Sequence, residues 1–192
     1  MIAGLLLAAG GGSRFGGPKA LAVLKGRFLV ERGIALLADG GCDPIHVVLG
    51  AAADEVRARA DLSRATVVPN PAWAGGLSTS LRAGLQSLPA VVDAVVIALA
   101  DQPLLSPLAV RRVQRAYAEG ATAAMATYAG RPGHPVLLAR STWAAVAATA
   151  TGDEGARSFL RANPDLVIHV PCDDLGSPAD IDRPEDLDAL AD

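Results

Sequence analysis

The sequence predicts an α/β fold with a mostly parallel sheet covered by helices, and three observations predict it. Short β-branched runs alternate with Ala- and Leu-rich stretches of helical length. The chain has 192 residues, enough for one full hydrophobic core and cramped for two, so a single domain over 1–192 is expected. No internal repeat or low-complexity linker interrupts the alternation.

The elements follow in order. Ile2 to Ala8 is apolar and runs straight into glycines, which reads as a buried strand. It lacks the basic leader and long apolar region of an export signal. A helix over Leu29 to Ala38 leads to a strand at Ile45 to Leu49, then a helix at Ala53 to Ala60 and a third strand at Thr66 to Val68. Ser78 to Leu88 reads as helix and Ala94 to Leu99 as the fourth strand. The helix over Pro107 to Glu119 has a clear start, because Ser106 offers a capping oxygen and Pro107 lacks a donor that a first turn does not need. Strands are expected at Ala123 to Thr127, Pro135 to Leu138 and Leu166 to Val170, and helices at Ser141 to Ala148, Glu154 to Arg161 and Pro184 to Leu190. The Gly- and Pro-containing stretch from Tyr128 to Pro135 breaks the alternation and reads as an insertion or a lobe over the site.

Composition removes several function classes. Half of the residues are apolar, yet no run approaches the roughly 20 that a membrane span requires. Cys42 and Cys172 have neither disulfide-scaffold number nor zinc spacing, so a reducing, cytoplasmic setting with two structural thiols is expected. A net charge of −3 without a basic cluster argues against a nucleic-acid surface. In an open sheet of this kind, ligands gather outside the carboxyl ends of the strands, which directs attention to the loops after strands one, three and four.

After the first strand comes Gly10-Gly11-Gly12-Ser13-Arg14-Phe15-Gly16-Gly17-Pro18-Lys19. Glycines let amides approach an anion, and Arg14 and Lys19 can neutralise charge that no backbone group can. Two familiar phosphate motifs fail on spacing. The dinucleotide fingerprint needs a glycine where Phe15 stands, and a Walker loop needs Lys-Ser/Thr directly after its last glycine. The residues do resemble the MobA-like nucleotidyltransferase signature, an apolar strand followed by Ala-Ala-Gly-x-Gly-x-Arg-x-Gly-x-Pro-Lys. Here it runs from Leu7, Ala8, Ala9 and Gly10 to Lys19. The resemblance is nearest to the molybdenum cofactor cytidylyltransferase branch. It implies a Rossmann-like three-layer α/β/α, GT-A-like nucleotidyltransferase fold, a loop wrapping a triphosphate, and Arg14 and Lys19 stabilising the phosphates as pyrophosphate leaves.

Strand four ends in Ala100-Asp101-Gln102-Pro103, and an aspartate at this edge can offer oxygen to a hard divalent cation. The resemblance makes Asp101 a magnesium ligand. Ala179 to Leu187 resembles the family's carboxy-terminal Asp-x-Asp-x-Pro-Glu-Asp motif and makes Asp182 the preferred second ligand, with Asp180 the rival. Glu185 and Asp186 read as first-turn residues of a terminal helix.

Gly75 to Leu81 offers free amides and hydroxyls for a base or sugar, although a plain Ser cap accounts for Ser78 as well. By resemblance, Gly76, Ser78 and Ser80 lie along the nucleobase, and the Ala8-Ala9-Gly10 start favours CTP over GTP. Arg131 to Pro135 is similar to the branch's Gly-His-Pro element and puts His134 near the acceptor. Thr151 to Arg157 resembles its Gly-Asp-x-Gly-Ala-Arg element and adds Asp153 and Arg157. Glu154 stands where that branch usually carries lysine, which points either to a less anionic acceptor or to a solvated helix start. The implied activity is Mg2+-dependent transfer of CMP from CTP to a small phosphorylated acceptor of molybdopterin type, with a molybdoenzyme as a partner receiving the product. The alternatives are a GTP-using or other small-acceptor transferase, or an oxidoreductase or cofactor carrier recruited onto the fold.

Overall fold

In the computed structural model, which describes residues 1–191, seven strands form one sheet in the order β5-β4-β1-β6-β8-β7-β9. β1 (Ile2–Ala8) lies between β4 (Ile45–Leu49) and β6 (Ala94–Leu99), parallel to both, and β5 (Thr66–Pro69) extends the parallel run beyond β4. β8 (Arg131–Ala139) runs antiparallel to β6 and to β7 (Ala123–Tyr128), and β9 (Val167–Pro171) pairs parallel with β7. One reversed strand in seven makes the sheet mostly parallel, as the alternation predicts.

Each central strand is apolar on both sides, and side chains alternate between two cores. Leu6, Val47, Val96 and Leu137 pack on one face beneath α1 (Leu29–Asp39), α2 (Ala53–Arg59) and α4 (Pro107–Ala118). Leu5, Leu7, Val48, Val95, Ile97 and Leu138 pack on the other beneath α3 (Leu77–Ser87), α5 (Trp143–Thr149) and α6 (Arg157–Ala162). The layers are therefore helix, sheet and helix. The capping oxygen of Ser106 does accept from the Leu108 amide, at 3.2 Å.

A third, small cluster positions the site. Ala22, Leu24 and Leu29 enclose Ile181, which is 1 % exposed, and so fasten the segment before α7 (Pro184–Ala191) to the region that follows the glycine-rich loop. Leu24 lies in β2 (Val23–Leu24), which pairs with β3 (Arg27–Phe28) as a ribbon too short for the sequence to announce.

Two boundaries need correction. The stretch from Tyr128 to Pro135 is neither insertion nor lobe. Ala129 and Gly130 both take positive φ, 49° and 71°, which makes a two-residue hairpin turn, and β8 begins at Arg131. Pro135 is tolerated because the ladder shifts register there, between Met125 and Thr127, while Pro132 stays opposite Thr127. Likewise α6 starts at Arg157 rather than Glu154, since Gly155 has φ +55° and cannot continue a helix backwards.

Candidate nucleotide and acceptor site

β1 delivers the glycine-rich loop to the carboxyl edge of the sheet, where it borders a cleft of about 520 Å³. The loop winds around one carbonyl. Gly12 O accepts from the amides of Phe15 and Gly16 at 2.9 Å and of Gly17 at 3.3 Å. Gly12 has φ +62°, and a Cβ there would lie 1.9 Å from Gly17 O, so only glycine serves. With residues 15–17 turned inward, the amides of Gly10, Gly11, Gly12, Ser13 and Arg14 donate to no other backbone group among the described residues. Five unpaired donors on one rim make an anion nest.

Lys19 follows at the start of a short 3-10 turn, and its ammonium is held by two carboxylates. Nζ donates to Asp101 Oδ2 at 3.0 Å and to Asp182 Oδ1 at 2.8 Å. Asp101 leaves the end of β6. Asp182 arrives from the far end of the chain because Ile181 is buried and its amide donates to Asp101 O at 2.7 Å. Asp186 completes this anchor by accepting from the amides of Asp182 and Arg183, both at 2.8 Å, the first-turn role expected of it. Arg14 reaches Asp182 at 3.5 Å with its side chain 73 % exposed, so it is a loose cation at the mouth.

The titration behaviour follows the geometry. Burial pushes the Asp101 carboxyl up, and the charge and hydrogen bond of Lys19 only partly offset it. Burial also works against the Lys19 ammonium, but the hydrogen bond to Asp182 and the charges of both aspartates together outweigh it, so its pKa is raised. The hydrogen bond from Lys19 holds Asp182 below the usual carboxylate range. Asp180, the rival to Asp182, is engaged elsewhere, accepting from Gln102 Nε2 at 2.8 Å.

The opposite wall of the cleft comes from α3 and the loop before it. Ser80 is 3 % exposed, and its Oγ accepts from Asn70 Nδ2 at 3.0 Å, which leaves its own proton free to donate. Gly76 takes the N-cap position with φ 95°. Ser78 is not the cap: it is 2 % exposed, does not line the cleft, and its amide donates to Gly152 O at 2.9 Å. The amide of Leu77 is likewise used, by Asp153 Oδ1 at 3.2 Å. The first-turn amides expected to be free for a base are therefore taken by the loop that carries Asp153, whose carboxylate belongs at a helix N-terminus.

A second cavity of about 580 Å³ adjoins the cleft and shares Leu7, Leu77 and Leu99 with it. His134 and Arg157 line it, whereas Asp153 lies on the cleft side, so the three residues expected to touch the acceptor are divided. Burial, then the charge of Arg157, push the His134 imidazole down to about 4, so it is neutral near pH 7. Gln102 also lines this cavity, is 6 % exposed, and leaves Oε1 without a protein partner.

Of the residues expected around the nucleotide, Leu7, Ala8, Ala9, Gly10, Gly11, Gly12, Ser13, Arg14, Lys19, Gly76, Ser80 and Asp101 line the cleft. Sequence reasoning missed Asn70, Trp73 and Gln102. Trp73 lies in the loop after the third predicted strand, one of the loops singled out for ligands, so a signal for it existed. Its ring covers Gly11, and it is 37 % exposed in the cleft. Among the described residues no three His, Cys, Asp or Glu side chains cluster to cage a metal, and no helix is long and apolar enough to cross a membrane.

Comparison with known proteins accords with this geometry. The profile of the MobA-like NTP transferase domain matches residues 4–167. Nicotine blue oxidoreductase of Paenarthrobacter nicotinovorans is 39 % identical over 97 % of this chain and 94 % of its own. The Mycobacterium tuberculosis H37Rv protein Rv0371c, solved as a complex with manganese, superposes with a TM-score of 0.81 at 26 % identity, covering 99 % of this chain and 97 % of that one. A nucleotidyl transferase from Methanothermobacter thermautotroptrophicus gives a TM-score of 0.81 at 25 % identity, over 100 % of this chain and 96 % of that one.

Proposed function

Because the chain belongs to the MobA-like NTP transferase family, we propose that it moves CMP from CTP to a small phosphorylated acceptor of molybdopterin type and releases pyrophosphate. A molybdoenzyme then receives the product. The observation that carries this reading is the Lys19 ammonium held between Asp101 and Asp182 beside five unpaired loop amides. A binding module would need the amides; it would not need a half-buried carboxylate whose charge is disfavoured where it stands.

The amides of residues 10–14 bind the β- and γ-phosphates, and Arg14 closes over them from the exposed rim. Lys19 exchanges its carboxylate partners for phosphate oxygens and neutralises the charge that develops on departing pyrophosphate. An acceptor phosphate oxygen attacks the α-phosphorus in line. The new P–O bond forms as the bond to pyrophosphate breaks, and no protein nucleophile is required. Ser80, aligned by Asn70, donates its free hydroxyl proton to cytosine O2 or N3.

The donor set fits a divalent cation. Asp101 and Asp182 already place one oxygen each within 3.0 Å of a single positive centre, Lys19 Nζ. Two carboxylates without a third ligand suit magnesium, which completes its shell with phosphates and water. Such an ion supplies Lewis-acid neutralisation of the phosphates. That the mycobacterial relative was solved as a complex with manganese supports a divalent cation for this chain as well.

A second reading, reduction of a small organic substrate, has one observation in its favour, the 39 % identity to an enzyme named as an oxidoreductase. One experiment separates them. The protein is incubated with magnesium, each nucleoside triphosphate in turn and a molybdopterin-type acceptor, and pyrophosphate is measured. A parallel sample without triphosphate, given nicotine blue as the electron acceptor, follows oxidation of reduced nicotinamide. Pyrophosphate from CTP is the expected result. Nicotinamide oxidation with no pyrophosphate from any triphosphate sinks the transferase reading.

A further inference from the structure

The second cavity carries a charge pattern that the transfer chemistry does not call for. Its floor is the face of the sheet, through Ile97, Leu99, Met125 and Val136, and its walls are Leu81 of α3 and Leu160 of α6. A flat apolar floor suits a flat apolar ring, with Met125 as an adaptable contact. His134 is neutral near pH 7, so inside the cavity nothing repels such a ring electrostatically.

The charges stand at the mouth. Three arginines are there, Arg131, Arg157 and Arg161, with two acids, Glu154 and Asp180. His169 completes the titratable groups on the lining. Asp180 is engaged by Gln102. Glu154 takes both of its oxygens to Arg161, at 2.7 Å each, and accepts from Ser158 as well. Arg131 and Arg157 have no carboxylate at ion-pair distance among the described residues. The mouth thus offers two guanidinium groups without a carboxylate at ion-pair distance among the described residues and keeps the third neutralised.

We infer that this cavity selects a flat acceptor ring bearing at most two anionic groups, and that Glu154 is the specificity-determining residue, holding Arg161 away from further anionic groups. Gln102 Oε1, buried and without a partner, adds a site for one N–H or O–H donor of the ring. The inference rests on reading this cavity as the acceptor side. A polyanionic ligand would have to leave its additional charges facing Glu154 or an already paired Arg161, and the apolar walls return nothing for their lost hydration.

The test needs neither nucleotide nor metal. Fluorescence titrations compare 5-aminonaphthalene-1-sulfonate with 8-aminonaphthalene-1,3,6-trisulfonate, which share ring and amino donor and differ in anionic groups. The unaltered protein should bind the monosulfonate at least about fivefold more tightly. Glu154→Gln should tighten the trisulfonate about fivefold at low salt, the scale of one exposed charge pair, and change the monosulfonate less than about twofold. The Glu154→Gln, Arg161→Leu double variant should return to the original ratio, which separates release of Arg161 from a general loosening of α6. Equal binding of both probes by the unaltered protein overturns the inference, as does an unchanged ratio in Glu154→Gln. Pyrophosphate release from CTP without probe selectivity would refute this inference alone, and probe selectivity without pyrophosphate from any triphosphate would refute the transferase reading alone.

Discussion

The nucleotide cleft and the acceptor cavity share a wall and are built on opposite plans. The cleft is a backbone device: one contiguous loop presents amides, and two aspartates and a lysine supply the charge. The acceptor cavity is a side-chain device, with walls drawn from β6, β7, β8, α3 and α6 and charge confined to its mouth. A triphosphate looks alike whatever base it carries, so fixed amides can recognise it. An acceptor is recognised by shape and charge placement, which only side chains vary. On the proposed reading, the backbone-built cleft suits the part of the donor that does not change with the base, and side chains such as Glu154 are where acceptor choice would be set.

That difference also decides how much could be read beforehand. The loop from Gly10 to Lys19 is contiguous, so its spacing alone excludes two other phosphate motifs and fits this one. Asp101 was legible because β6 is an unmistakable apolar strand and its end is where ligands gather. That Asp182 belongs near this site was legible only through resemblance, and its pairing with Lys19 across 163 positions was not read at all, since what brings them together is burial of Ile181, a packing event with no local signature. The role of Asp153 was misread for the same reason. A carboxylate that caps a helix 76 residues away does so through tertiary docking, which left Ser78 looking like the cap. The hairpin at Ala129-Gly130 was missed because its prolines suggest a break, and the register shift that accommodates Pro135 is a property of the paired strands.

The largest effect that would sharpen the comparison is loss of Asp101. Asp101→Ala should lower turnover by roughly 10²–10³-fold, the scale of removing one electrostatic contributor from a transfer site. The melting temperature should hold within a few degrees, because burial already disfavours this charge and Lys19 keeps Asp182 as a partner. Undiminished turnover would remove Asp101 from the charge-bearing set and break the contrast between the two regions.

On the acceptor side the matching group is His134, and its signature is in stability. Its folded pKa is pushed down to about 4 from an ordinary 6.5. Between those values the unfolded chain takes up a proton that the folded chain refuses, so stability falls as pH is lowered through that window and is unaffected by this group above it. The loss should reach roughly 2 kcal/mol near about pH 5. Denaturant midpoints across that range should show the slope, and His134→Gln should flatten it. An equal slope in the variant would mean that the ring is as easily protonated in the fold as in water, and that the cavity mouth is wetter than its walls suggest.

The smallest effect lies on the wall between the two regions. Among the described residues, Ser80 is the one side chain in the cleft whose hydroxyl is both buried and left with an uncommitted proton, because Asn70 fills its acceptor side. Removing a neutral hydrogen bond of this kind costs about 1 kcal/mol, or about fivefold. Ser80→Ala should therefore raise KM for CTP about fivefold with kcat within about twofold, and should narrow the preference for CTP over GTP by a similar factor. Asn70 would still be held by Thr79 Oγ1 at 2.9 Å and by donation from the Ala72 amide, so the loop before α3 should stay in place. If KM and base preference are both unmoved, Ser80 serves only to orient Asn70. Base selection would then pass to the exposed ring of Trp73.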